Sequence, residues 1–127
     1  MNDYLLFNSA LTMAPLIKSN RVRGLAVTSA TRIQPLPDLP TVAEAGVPGY
    51  DATSWYGVLL PARAPRAIVD RLQTEISKAV RAPELSARLS SEGATPVGST
   101  PDVFAAFIQR ELARWAKVIR DAGIKPE

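Results

Sequence analysis

Three carboxylates fall within one short stretch of the sequence: Asp38, Glu44 and Asp51. Clustered acids can divide the work of a general acid and a general base, or hold a hard cation with oxygen ligands. The segment is turn-rich, and the three residues lack the regular ligand spacing of a cation loop. The sequence contains no His and no Cys. That excludes imidazole-activated and thiolate nucleophiles, and zinc sites built on N or S ligands. Glu44 has a plainer duty. It stands three residues after Thr41, the spacing at which a Thr and a Glu cap the first turn of a helix reciprocally. Asn8 and Ser9 precede an apolar, helix-spaced segment, and Ser9 can cap it. The residues therefore predict no catalytic centre, no metal site and no cofactor.

These residues belong to a chain of 127, one domain's worth of sequence, with 46% hydrophobic and 21% charged residues. That composition builds an ordinary globular core. The net charge is +3 and the pI about 9.6. Lys and Arg are scattered among Asp and Glu rather than gathered on a stripe with interleaved aromatics, so the charge reads as a solvated surface and not as a nucleic-acid footprint. No apolar run is long enough to span a membrane. Met1-Asn2-Asp3-Tyr4 lacks the basic and apolar regions of a signal peptide, so the chain as written is expected to stay in the cytoplasm.

The elements follow from periodicity and punctuation. Tyr4–Phe7 reads as a buried strand. Ser9 starts a helix that turns Leu11, Ala14, Leu16 and Ile17 inward, with Pro15 as a bend or first-turn residue and Asn20 as its stop. Val22–Thr28 reads as a strand covered on both faces. Pro35, Pro37, Pro40 and Pro48 stiffen a loop over 31–50, in which Thr41–Gly46 fits one short capped helix. Trp55–Leu60 is the next strand, ended by Pro61. Pro65 opens a helix with Ile68, Leu72, Ile76 and Ala79 inward. Pro83 opens a shorter one with Leu85 and Leu89 inward, closed by Gly93. Thr100-Pro101-Asp102 starts the last helix, whose stripe runs from Phe104 to Ile119 and which stops at Gly123. The order predicts an α/β unit with a parallel-leaning sheet. Three strands are few for such a sheet, and the C-terminal helices carry more apolar surface than those strands can cover.

Several stretches, in order, carry a resemblance. They are Val22-Arg23-Gly24-Leu25-Ala26-Val27-Thr28-Ser29 with Arg32, then Leu36-Pro37-Asp38-Leu39-Pro40-Thr41, and Glu44-Ala45-Gly46-Val47-Pro48-Gly49-Tyr50. Ser54-Trp55-Tyr56-Gly57 follows, with Pro61 and Pro65. Gly93-Ala94, Pro96-Val97-Gly98-Ser99, Trp115 and Gly123-Ile124 complete the set. Together they resemble the C-terminal part of the Bug, or TctC-type, solute-binding proteins, which serve tripartite tricarboxylate transporters.

The resemblance implies part of a type II periplasmic-binding-protein clamshell, two α/β lobes closing on a small carboxylate without catalysis. Residues 1–52 would correspond to the end of the second lobe. Residues 53–127 would be the return to the first lobe, a strand plus three helices. The family often carries Phe-Asp-Asn where this sequence has Phe7-Asn8-Ser9, and its Asp reaches the ligand zone. Asn8 and Ser9 are thus the expected ligand-binding residues, or else merely the cap of the next helix. An amide can still orient a carboxylate and removes a like charge. Arg63-Ala64 stands where the family usually has Gly-Thr. The implied partners are a small carboxylate and membrane transporter subunits, the implied location is periplasmic, and nucleic acid is not expected. The competing expectation is a non-binding, truncated domain that self-associates as a homo-oligomer through its bare edges and faces.

Overall fold

A computed structural model describes residues 6–125. It contains four helices: α1 (Ala10–Lys18), α2 (Arg66–Arg81), α3 (Pro83–Ser91) and α4 (Pro101–Asp121). Two compact units divide the chain. The first takes residues up to Leu59 together with Ala82–Pro96, and the second takes Leu60–Arg81 and Val97 onward.

In the first unit, α1 carries Pro15 in its interior, and its C-terminus is closed by Asn20 at φ 56°. The Arg21 N–H donates to the Leu16 carbonyl at 2.9 Å and the Asn20 N–H to the Ile17 carbonyl at 3.0 Å. This is the paired closure that needs one left-handed residue, and Asn tolerates it better than most. Ala14 is buried, but Leu11 is 56% exposed and Leu16 and Ile17 are only half-covered. Leu36 and Thr41 complete a very small core. Gly24 sits against it: a Cβ there would stand 2.8 Å from a Leu39 methyl and 3.2 Å from Ile17 Cδ1.

The strands do not form as expected. The only β pairing among the described residues is an isolated parallel bridge, Val27 with Thr41. Val27 donates to the Pro40 carbonyl and accepts from the Val42 N–H, both at 2.9 Å, and the Ala52 N–H reaches the Thr28 carbonyl at 2.8 Å. Residues 22–28 therefore lie along the Pro-rich loop and not in a sheet. Tyr4 and Leu5 fall outside the described residues, while Leu6 and Phe7 are exposed and pair with no strand among the described residues. Trp55–Leu59 is irregular and exposed, Tyr56 at 98%. A strand exists only with a ladder partner, and no described segment supplies one. Thr41–Gly46 likewise makes one helical turn and not a helix. It closes with the Val47 N–H on the Val42 carbonyl at 3.2 Å.

α3 belongs to this first unit. Pro83 stands at its first position and Gly93, at φ 84°, closes it. A Cβ on Gly93 would lie 3.1 Å from Ala10 Cβ and 3.4 Å from Pro35, so the end of α3 meets the start of α1 and the loop. Leu89 is half-buried as expected, but Leu85 is 37% exposed.

In the second unit, α2 starts at Arg66, immediately after Pro65, whose carbonyl accepts from Ile68 and Val69. α4 has Thr100 as its N-cap, Pro101 at its first position and Gly123 just past its end. The Thr100 hydroxyl accepts from the Val103 N–H at 3.4 Å. Phe104 and Phe107 stack with centroids 6.4 Å apart. Residues 97–99 cross α2 closely. The Gln73 amide donates to the Ser99 carbonyl at 3.4 Å, and a Cβ on Gly98 would stand 3.1 Å from Ser77 Cα. α2 and α4 also touch each other.

Candidate functional site

The start of α1 holds both expected ligand-binding residues, and both are exposed. Asn8 turns its side-chain oxygen back to accept from the Ser9 N–H at 2.8 Å, which leaves the amide NH₂ as a donor. Ser9 occupies the N-cap position with extended dihedrals, but its hydroxyl does not cap. It pairs instead with the Thr12 hydroxyl at 3.0 Å. The Ser9 carbonyl accepts from the N–H groups of Thr12 and Met13, both at 3.1 Å. The N–H groups of Ala10 and Leu11 meet no acceptor among the described residues. A helix start with unused amides and the positive end of the helix dipole favours an anion. Asn8, Ser9 and Thr12 add an amide and two hydroxyls on the same turn.

A groove of about 350 Å³ continues along α1 from Ala10 to Lys18, with Pro35, Ser91 and Glu92 on its other wall. It is open and mainly apolar, with Lys18 and Glu92 as its charged members. An open groove of this kind does not enclose a ligand as a finished pocket does.

The second polar cluster is structural. Glu44 accepts from the Thr41 N–H at 2.7 Å, and the Thr41 hydroxyl accepts from the Glu44 N–H at 3.0 Å. The expected reciprocal cap is therefore made. Arg32 joins it, with Nε 3.0 Å from Glu44 Oε2 and a second nitrogen 3.3 Å from the Pro37 carbonyl. These contacts, the Thr41 amide first and the Arg32 side chain next, hold the Glu44 carboxyl below its ordinary value. Sequence reasoning found the Thr41–Glu44 pair but missed Arg32 as the tie. Its only signal was a place among the resembling residues, twelve positions away. Asp51 accepts from the Thr53 hydroxyl at 2.8 Å. No group of three His, Cys, Asp or Glu among the described residues is placed to hold a metal.

Residues 4–124 match the family described as the tripartite tricarboxylate transporter family receptor. The chain belongs to that family. It is 40% identical over 116 residues to a protein encoded in the tcbD-tcbE intergenic region of a Pseudomonas species, covering 91% of this chain and 34% of that one. It is 37% identical over 109 residues to Protein BugT of Bordetella pertussis, covering 86% and 33%. Among solved structures, an R. palustris protein with adipate superposes with a TM-score of 0.83 at 40% identity, covering 93% of this chain and 40% of that chain. The periplasmic binding protein BugD gives 0.82 at 29% identity, covering 91% and 39%. The chain thus spans about a third of the length of these two curated relatives. Members of the family are periplasmic solute-binding proteins. No helix among the described residues is long and apolar enough to cross a membrane.

Proposed function

We propose that this chain supplies part of a carboxylate-binding receptor, in which the start of α1 contacts the acid group of the ligand. Asn8 offers an NH₂ donor, Ser9 and Thr12 offer hydroxyls, and the first amides of α1 offer the dipole end. An amide at position 8 fits an anionic ligand better than the family's usual acid, which would repel it. The adipate held by the R. palustris relative makes a small dicarboxylate the ligand class of choice. On this reading residues 1–52 are the end of one lobe of a clamshell. Residues 53–127 return to the other, where Trp55–Leu60 enters a sheet. Binding takes place in the periplasm and delivers the acid to membrane transporter subunits. The observation that carries the reading is the helix start with two unused amides and three polar side chains.

The test is a thermal melt of the chain against a panel of small carboxylates, adipate among them. A ligand present at a hundredfold over its Kd stabilises the folded state by about 2.7 kcal/mol. One dicarboxylate is expected to raise Tm, and Asn8→Ala is expected to abolish the shift while leaving the melt of the free chain in place. A cooperative melt that no carboxylate moves would overturn the reading.

A further inference from the structure

Asn8 and Asn20 are the asparagines among the described residues, and their surroundings differ in a way that decides their chemical lifetime. An asparagine loses its amide when the backbone nitrogen of the next residue attacks the side-chain carbon Cγ. The ring so formed has five members: that nitrogen and the asparagine C, Cα, Cβ and Cγ. The attack needs the next N–H free of a firm acceptor and a backbone that can turn. Asn20 offers neither. It closes α1 in the left-handed conformation at φ 56°. Its own N–H is bonded to the Ile17 carbonyl at 3.0 Å, and the following Arg21 N–H to the Leu16 carbonyl at 2.9 Å. Asn8 offers both. It is exposed and precedes the first turn of α1. Neither its carbonyl nor the Ser9 N–H takes part in a backbone hydrogen bond among the described residues. The acceptor that the Ser9 N–H does meet is Asn8 Oδ1, at 2.8 Å. That oxygen is bonded directly to Cγ, so the side chain is folded over the nitrogen that attacks it. Holding two reacting groups together in this way removes much of the barrier between them.

We infer that Asn8 is a site of spontaneous deamidation, through which the chain converts its own amide at the start of α1 into a carboxylate. The Ser9 nitrogen gives its proton to solvent and forms a bond to Cγ. The Cγ–Nδ2 bond breaks, and Nδ2 leaves as ammonia after taking a proton from water. Water then opens the cyclic imide at either carbonyl, giving aspartate or isoaspartate. Nothing is oxidised or reduced, and water is the sole co-reactant. The new charge sits at the positive end of the α1 dipole, which favours it. The NH₂ donor, however, is gone. The consequence for binding rests on the function proposed above: a carboxylate at position 8 repels the acid group that the amide receives, so deamidation retires the site as the protein ages.

The purified chain is aged at pH 7 and at pH 9, its peptides are sequenced by mass spectrometry, and isoaspartate is counted by enzymatic methylation. Asn8 is expected to lose its amide at least about tenfold faster than Asn20, since one attacking nitrogen is free and the other held. The rate at Asn8 rises with pH, because the Ser9 nitrogen must shed its proton. Ser9→Pro leaves no N–H to attack and suits the native backbone, whose φ there is −67°, within the range proline adopts. In that variant Asn8 keeps its amide. Equal rates at Asn8 and Asn20, or an unchanged rate in Ser9→Pro, overturn the inference. Aged protein and Asn8→Asp are then melted with adipate beside fresh protein. Loss of the shift that fresh protein shows supports retirement of the site, and an undiminished shift overturns it. If fresh protein responds to no carboxylate, the binding proposal falls and retirement with it, while the masses alone decide the chemistry at Asn8.

Discussion

Glu44 shows how one carboxylate can be mistaken for chemistry. Its neighbours Asp38 and Asp51 stand near it in sequence, yet its oxygens are committed to the Thr41 amide and to Arg32. Because the folded state holds its carboxyl below the ordinary 4.5, Glu44 contributes stability above the unfolded value, and that contribution fades as pH falls through the folded one. Unfolding followed from pH 7 to pH 2 should therefore lose less stability in Glu44→Gln than in the parent below about pH 4.5. Identical acid limbs for the two proteins would mean that the carboxylate charge does nothing there. Asn8 illustrates the opposite situation. Its role was suggested by resemblance alone, and the structure adds the orientation of its side chain, with the oxygen used locally and the donors left outward.

At the level of elements, what was readable in the sequence was what is local. The four helices appear where periodicity puts them, although the Ser9 hydroxyl does not cap α1 and the helix expected over Thr41–Gly46 is a single turn. Asn20, Gly93 and Gly123 each close a helix in the left-handed conformation, because the signal and its consequence lie within a few residues. The strands were not readable, since pairing depends on segments far away and alternation says nothing of whether a partner is present. The inward stripes were readable only in part. Periodicity identified an apolar line on α2 but not which side meets a neighbour, so Ile68 and Leu72 were expected inside and lie outside, while Val69 and Val80 went unremarked. Gly98 was noticed only as one of the resembling residues. Its packing adds a firm prediction. At φ 58° and with a would-be Cβ 3.1 Å from Ser77 Cα, Gly98→Ala combines backbone strain with a contact that only a backbone shift relieves. It should cost about 1–3 kcal/mol in chemical denaturation. A loss below a few tenths would show that the 97–99 crossing yields without effort.

The molecule as a whole leaves much of its apolar surface uncovered. Ala14 and Leu36 are the only buried hydrophobic residues among those described, apart from Pro35. Such a surface should bind a hydrophobic dye such as ANS strongly at neutral pH. Dye binding no greater than that of an ordinary compact domain would contradict the exposure of Leu112, Trp115 and Ile119.

The first unit holds its shape around little more than Ala14, Pro35, Leu36 and Thr41. Its loop contains Pro35, Pro37, Pro40 and Pro48. Each proline confines its own φ, and restrains the residue before it, in the unfolded chain as much as in the folded one. A proline compatible with the native backbone gains roughly 0.4–1 kcal/mol by leaving the unfolded chain fewer states. Pro40 is compatible in that sense, since only its carbonyl is used, accepting the Val27 N–H. The order of this loop therefore depends less on what it buries than on how little freedom it has to lose.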